Sequence, residues 1–236
     1  QRGRQTRFAG AACTADALND QIGVRQNIVA WTESAEWTWV DGRSAKWNPK
    51  YWRSGNYKSK QPLQDALSNV FVQPGKYFFG CYTATKLLLA YAVLDYYGRI
   101  KHDAKTTELL MNRLLIDKDP LNHIEPGNMW AFEADYDAVT SNRVGKLVYL
   151  TDPVPHDNFI PGDWVYFMNP DKVSARKNGY EGANAIYLGR GLFSDYYNDN
   201  NHRFTFREQL DEVYQWRHGV FSRPRDNRKI KPLSAD

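Results

Sequence analysis

The chain has 236 residues, 42% of them hydrophobic and 14% aromatic, with a net charge of +4. A chain this long buries roughly 70% of its unfolded surface, so one dense core is expected, and two Cys rule out a disulfide scaffold. The longest apolar run, Leu87 to Leu94, falls far short of the ~20 residues of a membrane span, while 25% charge and a mean hydropathy of −0.67 also exclude a disordered chain.

Much of the positive charge sits at the ends. Arg2, Arg4 and Arg7 open the chain, and Arg223, Arg225, Arg228, Lys229 and Lys231 lie near its close. These ends are read as solvated, because no RNP, helix-turn-helix or zinc-finger pattern accompanies them. No nucleic-acid partner is expected. The chain begins at Gln1 with no basic start and apolar run behind it, so it is read as processed or as a domain of something longer.

The first 60 residues are polar and aromatic with poor periodicity. Trp37-Thr38-Trp39-Val40 alternates like a short strand before the turn signal Asp41-Gly42. Trp47, Tyr51 and Trp52, set among Asn, Pro, Ser and Gly, predict a loop pinned by large aromatics. Leu63, Ala66, Leu67 and Val70 recur at helical spacing within Gln61 to Val72. After the turn Pro74-Gly75-Lys76, Tyr77-Phe78-Phe79-Gly80 leads into Cys81. From Tyr82 to Tyr97 the sequence is rich in Ala, Leu and aromatics, and Gly98 offers a C-terminal cap. A helix apolar on nearly every side is buried. A further helix is expected from about Thr106 to Ile116.

Beyond it, Lys146 to Leu150 is expected to be a strand, and Pro161-Gly162-Asp163 a turn opening the strand Trp164 to Phe167. A loop from Met168 to Gly182 leads to a strand at Ala183 to Leu188. Gly189-Arg190-Gly191 turns it into Leu192 to Tyr196. Phe204 and Phe206 are expected to close the sheet before a helix at Arg207 to Trp216. Helices first and turn-linked strands after give an α+β class, with a central buried helix led by Cys81 packed on an antiparallel sheet. The expected organisation is one domain over residues 1–222, with 1–60 as an aromatic-rich extension and 223–236 as a basic tail.

The sharpest chemical feature is Cys81 at the start of the buried helix. Unpaired N–H groups and the macrodipole favour negative charge there, and the thiolate is the reactive form of cysteine. Two readings fit that position: a nucleophile whose neighbouring amides help hold an oxyanion, and an inert buried Cys. Cys13, with no such helix behind it, is read as structural. Asp163 either caps its own turn or takes part in catalysis, the first being the simpler role. His102, His123, His156 and His218 show no metal-ligand spacing, and His202 falls in an Asn-rich turn. There is no C-x-x-C, H-E-x-x-H or phosphate loop. Neither a metal nor a cofactor is expected.

Two segments resemble the small single-domain transglutaminase of spore-forming bacilli, the protein-glutamine γ-glutamyltransferase of the spore coat. One runs from Asn48-Pro-Lys-Tyr-Trp52 through Leu63 to Phe79-Gly80-Cys81-Tyr-Thr-Ala-Thr85 and on to Leu94-Asp95. The other runs from Gly162-Asp163-Trp-Val-Tyr-Phe167-Met-Asn-Pro170 through Gly182-Ala183-Asn184-Ala-Ile-Tyr-Leu-Gly189 to Phe193-Ser-Asp195. The resemblance covers about a hundred residues in the right order. It implies a single papain-like (NlpC-type) core and acyl transfer from glutamine side chains. Cys81 would attack the amide and release ammonia, and a lysine, a small amine or water would take the acyl group.

This sequence also departs from the family. The family's strand glutamate corresponds here to Ala183, and its glutamate before the Cys corresponds to Gly80. Side chains at i and i+2 share one face of a strand, so Glu181 is a candidate carboxylate, against the alternative of a solvated loop charge. Asp195 matches the family's histidine and is the other candidate partner. Tyr180 matches a tryptophan that helps wall the family's substrate tunnel. It joins Tyr82 and Asn184 as candidate substrate-binding residues.

Three functions follow. The first is a glutamine acyltransferase or deamidase acting on a protein with an accessible glutamine, a chemistry that in its deamidase form would suit a delivered toxin or effector domain. The second is a cysteine amidase or peptidase on the same core. The third is a family member that keeps only a binding role.

Overall fold

A computed structural model describes residues 15–115, 118–121, 124, 159–198 and 203–222. Cys13, both basic ends, His123, His156, His202 and the expected strand Lys146–Leu150 lie outside the described residues.

The first element corrects the reading of the N-terminal sixty residues as irregular. Helix α1 (Ala15–Glu33) runs for 19 residues. Val24 and Ile28 enter the core, whereas Leu18 and Ile22 stay exposed. Apolar residues on both faces erase the helical period by which an amphipathic helix is recognised. Strand β1 (Thr38–Trp39) follows, then a tight hairpin of β2 (Trp52–Arg53) and β3 (Asn56–Tyr57) within the expected loop. The hairpin turns on Ser54 and Gly55, both at positive φ. Large aromatics pin this region as expected, with Trp47 and Trp52 at a centroid separation of 5.3 Å.

Helix α2 (Leu63–Val72) buries Leu63, Ala66, Leu67 and Val70, the four residues whose spacing announced it. Strand β4 (Phe78–Phe79) pairs in parallel with β1 and delivers the chain to α3 (Cys81–Asp95). Every residue of α3 from Ala84 to Asp95 is buried, which makes it the central helix. It packs against α1, α2 and the sheet. Gly98 does not cap it. The helix widens into a turn of π type over Tyr96–Ile100, and Lys101 N–H donates to the Tyr96 carbonyl at 2.8 Å. Tyr96 and Tyr97 thereby stay buried, and Gly98 avoids the left-handed conformation a glycine cap requires. Helix α4 (Ala104–Leu114) starts two residues before its expected position, because the Asp103 carboxylate accepts the Thr106 N–H.

The sheet holds β5 (Trp164–Met168), β6 (Gly182–Gly189), β7 (Leu192–Ser194) and β8 (Phe204–Thr205), all antiparallel and in that spatial order. Helix α5 (Phe206–Arg217) follows directly. Phe206 opens this helix instead of extending the sheet, since Thr205 and Glu208 form a reciprocal capping box. Tyr166 is paired with Asn184 and Phe167 with Ala183. Cross-strand partners share a face, so the two faces can be assigned. Phe167 and Phe193 lie against Phe206, which turns Phe167 and Ala183 toward α5. Tyr166 and Asn184 face the opposite way, toward α3. The class is α+β, with the Cys-led helix packed on an antiparallel sheet.

Candidate active site

Cys81 is the first residue of α3, and Gly80 at its N-cap is extended with no side chain to cap the first turn. The sulfur is half-buried and unbridged. Behind it, Thr85 Oγ1 donates to the Cys81 carbonyl at 2.8 Å and shares a 2.7 Å hydrogen bond with the Tyr196 hydroxyl. The helix start is thereby tied to the segment that follows β7.

The sheet supplies the contact to sulfur. Asn184 Nδ2 donates to Cys81 Sγ at 3.1 Å, and Trp164 Nε1 donates to Asn184 Oδ1 at 2.7 Å. Asn184 is 4% exposed. The Trp164 ring lies 5.5 Å from that of the exposed Tyr82, the residue after Cys81 in α3. Lys86 Nζ sits 4.4 Å from the centroid of the Tyr82 ring. Burial pulls the Lys86 ammonium down to about 8, although the Asp119 charge acts the other way.

Tyr166 borders the same face and is 51% exposed. Its hydroxyl donates to the Glu181 carbonyl at 3.1 Å. Burial, then the charges of Cys81 and Glu181, push this hydroxyl above its usual range. Tyr166, Trp164 and Lys86 were missing from the sequence-based site. The run Trp164 to Phe167 reads as apolar throughout and Met168 as loop, whereas the strand extends to Met168, so nothing local shows which of its faces meets Cys81.

Of the residues singled out by sequence, the structure brings Cys81, Tyr82 and Asn184 together. The Glu181 carboxylate accepts the Gly179 N–H at 2.9 Å. Asp195 is 1% exposed, and its carboxylate accepts the Tyr197 N–H at 3.4 Å. Tyr180 is buried edge-on against Trp39, Trp216 and Phe221, with its hydroxyl on Asp41 at 3.3 Å. Asp163 caps its turn by accepting the Ile160 N–H at 2.8 Å and also receives Arg25 Nη1 at 2.7 Å. Among the described residues, no group of His, Cys, Asp and Glu could hold a metal ion.

A family model described as protein-glutamine gamma-glutamyltransferase matches residues 11–198. The chain belongs to this family. It is 27% identical over 188 residues to the protein-glutamine gamma-glutamyltransferase of Bacillus mycoides, covering 76% of this chain and 57% of that one. The enzyme of the same name from Halalkalibacterium halodurans is 25% identical over 185 residues, covering 75% and 54%. The chain thus spans just over half the length of these curated relatives. A transglutaminase structure from Geobacillus stearothermophilus, without its C-terminal extension, superposes with a TM-score of 0.53 at 22% identity. It covers 94% of this chain and 88% of that one, and shows that this member of the transglutaminase family shares its fold.

Proposed function

We propose that this chain transfers acyl groups from glutamine side chains of proteins through a thioester on Cys81. The observation that carries the reading is the Cys81 sulfur, placed at the uncapped start of a buried helix and held by Asn184, in a chain of this family. Sulfur attacks the carboxamide carbon, the C–N bond breaks, and ammonia leaves carrying one proton from solvent in exchange for the one the thiol gave up. A lysine, a small amine or water then attacks the thioester, releasing an isopeptide, a substituted amide or a carboxylic acid and restoring the thiol. The exposed rings of Tyr82, next to Cys81 in the chain, and Tyr166, on the sheet face that carries Asn184, suit an extended peptide bearing the glutamine.

A second reading, binding without turnover, is favoured by Ala183 and Gly80, which offer no carboxylate to the thiol. One assay separates the two. A glutamine-bearing protein is incubated with and without a primary amine and read by intact mass beside a Cys81→Ala control. Amine addition or a deamidation shift that disappears in the control establishes glutamine chemistry. Peptide cleavage instead points to an amidase, and an unchanged mass leaves the binding role. Glu181→Gln and Asp195→Asn then test each carboxylate as a partner in the reaction.

A further inference from the structure

We propose that the Asn184 carboxamide, locked in one orientation by the Trp164 indole, stabilises the Cys81 thiolate in this chain in place of a carboxylate base. The proposal rests on the reading of Cys81 as the nucleophile. Its geometry is a chain of three side chains, with 2.7 Å from Trp164 Nε1 to Asn184 Oδ1 and 3.1 Å from Asn184 Nδ2 to Cys81 Sγ.

The indole decides the direction of that chain. Its N–H only donates, so the Asn184 atom facing it is the oxygen and the NH₂ group must face the sulfur. Flipping the amide would set donor against donor at the indole and remove the donor from the sulfur. For a residue only 4% exposed, water is poorly placed to compensate. A carboxamide cannot accept the thiol proton at working pH, so it is no general base. It can bind the thiolate more strongly than the thiol, because a hydrogen bond gains strength when its acceptor is charged. The uncapped first turn of α3 acts in the same direction. The thiol proton passes to solvent, which reaches the half-buried sulfur. Asn184 touches the reacting atom, whereas Trp164 acts through Asn184 and is a positioning residue.

The test follows Cys81 alkylation by iodoacetamide, resolved at the peptide level, from about pH 5 to about pH 10. Asn184→Leu is expected to raise the midpoint by at least about half a pH unit, roughly threefold slower alkylation below it. Trp164→Phe keeps the ring, removes the N–H and should shift the midpoint the same way by less. Glu181→Gln should leave it in place. Unmoved midpoints in the folded Asn184 and Trp164 variants overturn the proposal, as does a Glu181→Gln shift equal to that of Asn184→Leu. If Asn184→Leu does not fold, Trp164→Phe decides alone. Amine incorporation by the wild type with unmoved midpoints sinks this proposal and spares the acyl-transfer reading. Shifted midpoints without glutamine chemistry do the reverse.

Discussion

The Tyr197 hydroxyl donates to the Phe79 carbonyl at 3.0 Å, joining residues 118 positions apart just ahead of Cys81. The Phe79 carbonyl also accepts the Val40 N–H at 3.4 Å. One acceptor therefore fastens the N-terminal segment, the approach to α3 and the chain beyond β7. Tyr197→Phe leaves that carbonyl with its second donor, so the expected loss is about 1 kcal/mol, not the larger penalty of an orphaned buried group. Urea unfolding should show a lower midpoint with an unchanged slope.

Asp95 fastens α1 to α3 and gives the fold an acid limit. Burial pushes its carboxyl up, but hydrogen bonds from Arg99, Trp31 and Asn27 outweigh this and hold it below its usual 3.8. A carboxyl depressed by folding contributes stability that is present above its unfolded value and lost as pH falls through the folded one. The chain should therefore lose stability below about pH 4. Asp95→Ala takes the acceptor from the half-buried Trp31 indole and one of two acceptors from Asn27, whose Nδ2 keeps the Ala92 carbonyl, at a cost of about 1–3 kcal/mol at pH 7, and should flatten that acid limb. Denaturation midpoints across pH read both effects.

Lys86 gives the same pH slope but costs stability where Asp95 supplies it. Its folded value of about 8 lies below its ordinary 10.5, so burial favours the neutral amine. The unfolded chain binds the extra proton between these values, and this group makes stability rise with pH across that window. Lys86→Met should remove the rise and stabilise the fold by about 1–3 kcal/mol at pH 7, as the charged form no longer has to be desolvated. Stability curves at about pH 7, below this window, and about pH 9.5, inside it, compare the variants.

Gly182 is required by close approach and not by its φ. A Cβ there would overlap the Tyr166 hydroxyl, lie 2.5 Å from the Tyr166 ring and lie 2.6 Å from the Phe167 carbonyl. Gly182→Ala is expected to cost about 2–3 kcal/mol. Adding Tyr166→Ala should recover only part of this, because the backbone carbonyl stays in place. Full recovery in thermal melts would show that the Tyr166 ring alone sets the restriction.

The α2 helix, the Cys-led α3 and the strands on either side of Arg190 could all be read locally, because periodic apolar residues and turn glycines state their own structure. Helix α1 could not, since Leu18 and Ile22 break the pattern that Val24 and Ile28 begin. Gly98 and Phe206 misled for a related reason. Burial of Tyr96 and Tyr97 overrode the expected cap, and the Thr205–Glu208 box took Phe206 into a helix.

The sequence by itself placed Cys81 at a helix start and set Glu181 on the same strand face as Ala183. Tertiary structure alone decided which face meets the sulfur. A period of two says that Glu181 shares a face with Ala183 and that Asn184 lies on the other, but it carries no sign. Phe167 and Phe193 supply that sign by packing on Phe206, which turns Ala183 toward α5 and Asn184 across 103 positions to Cys81.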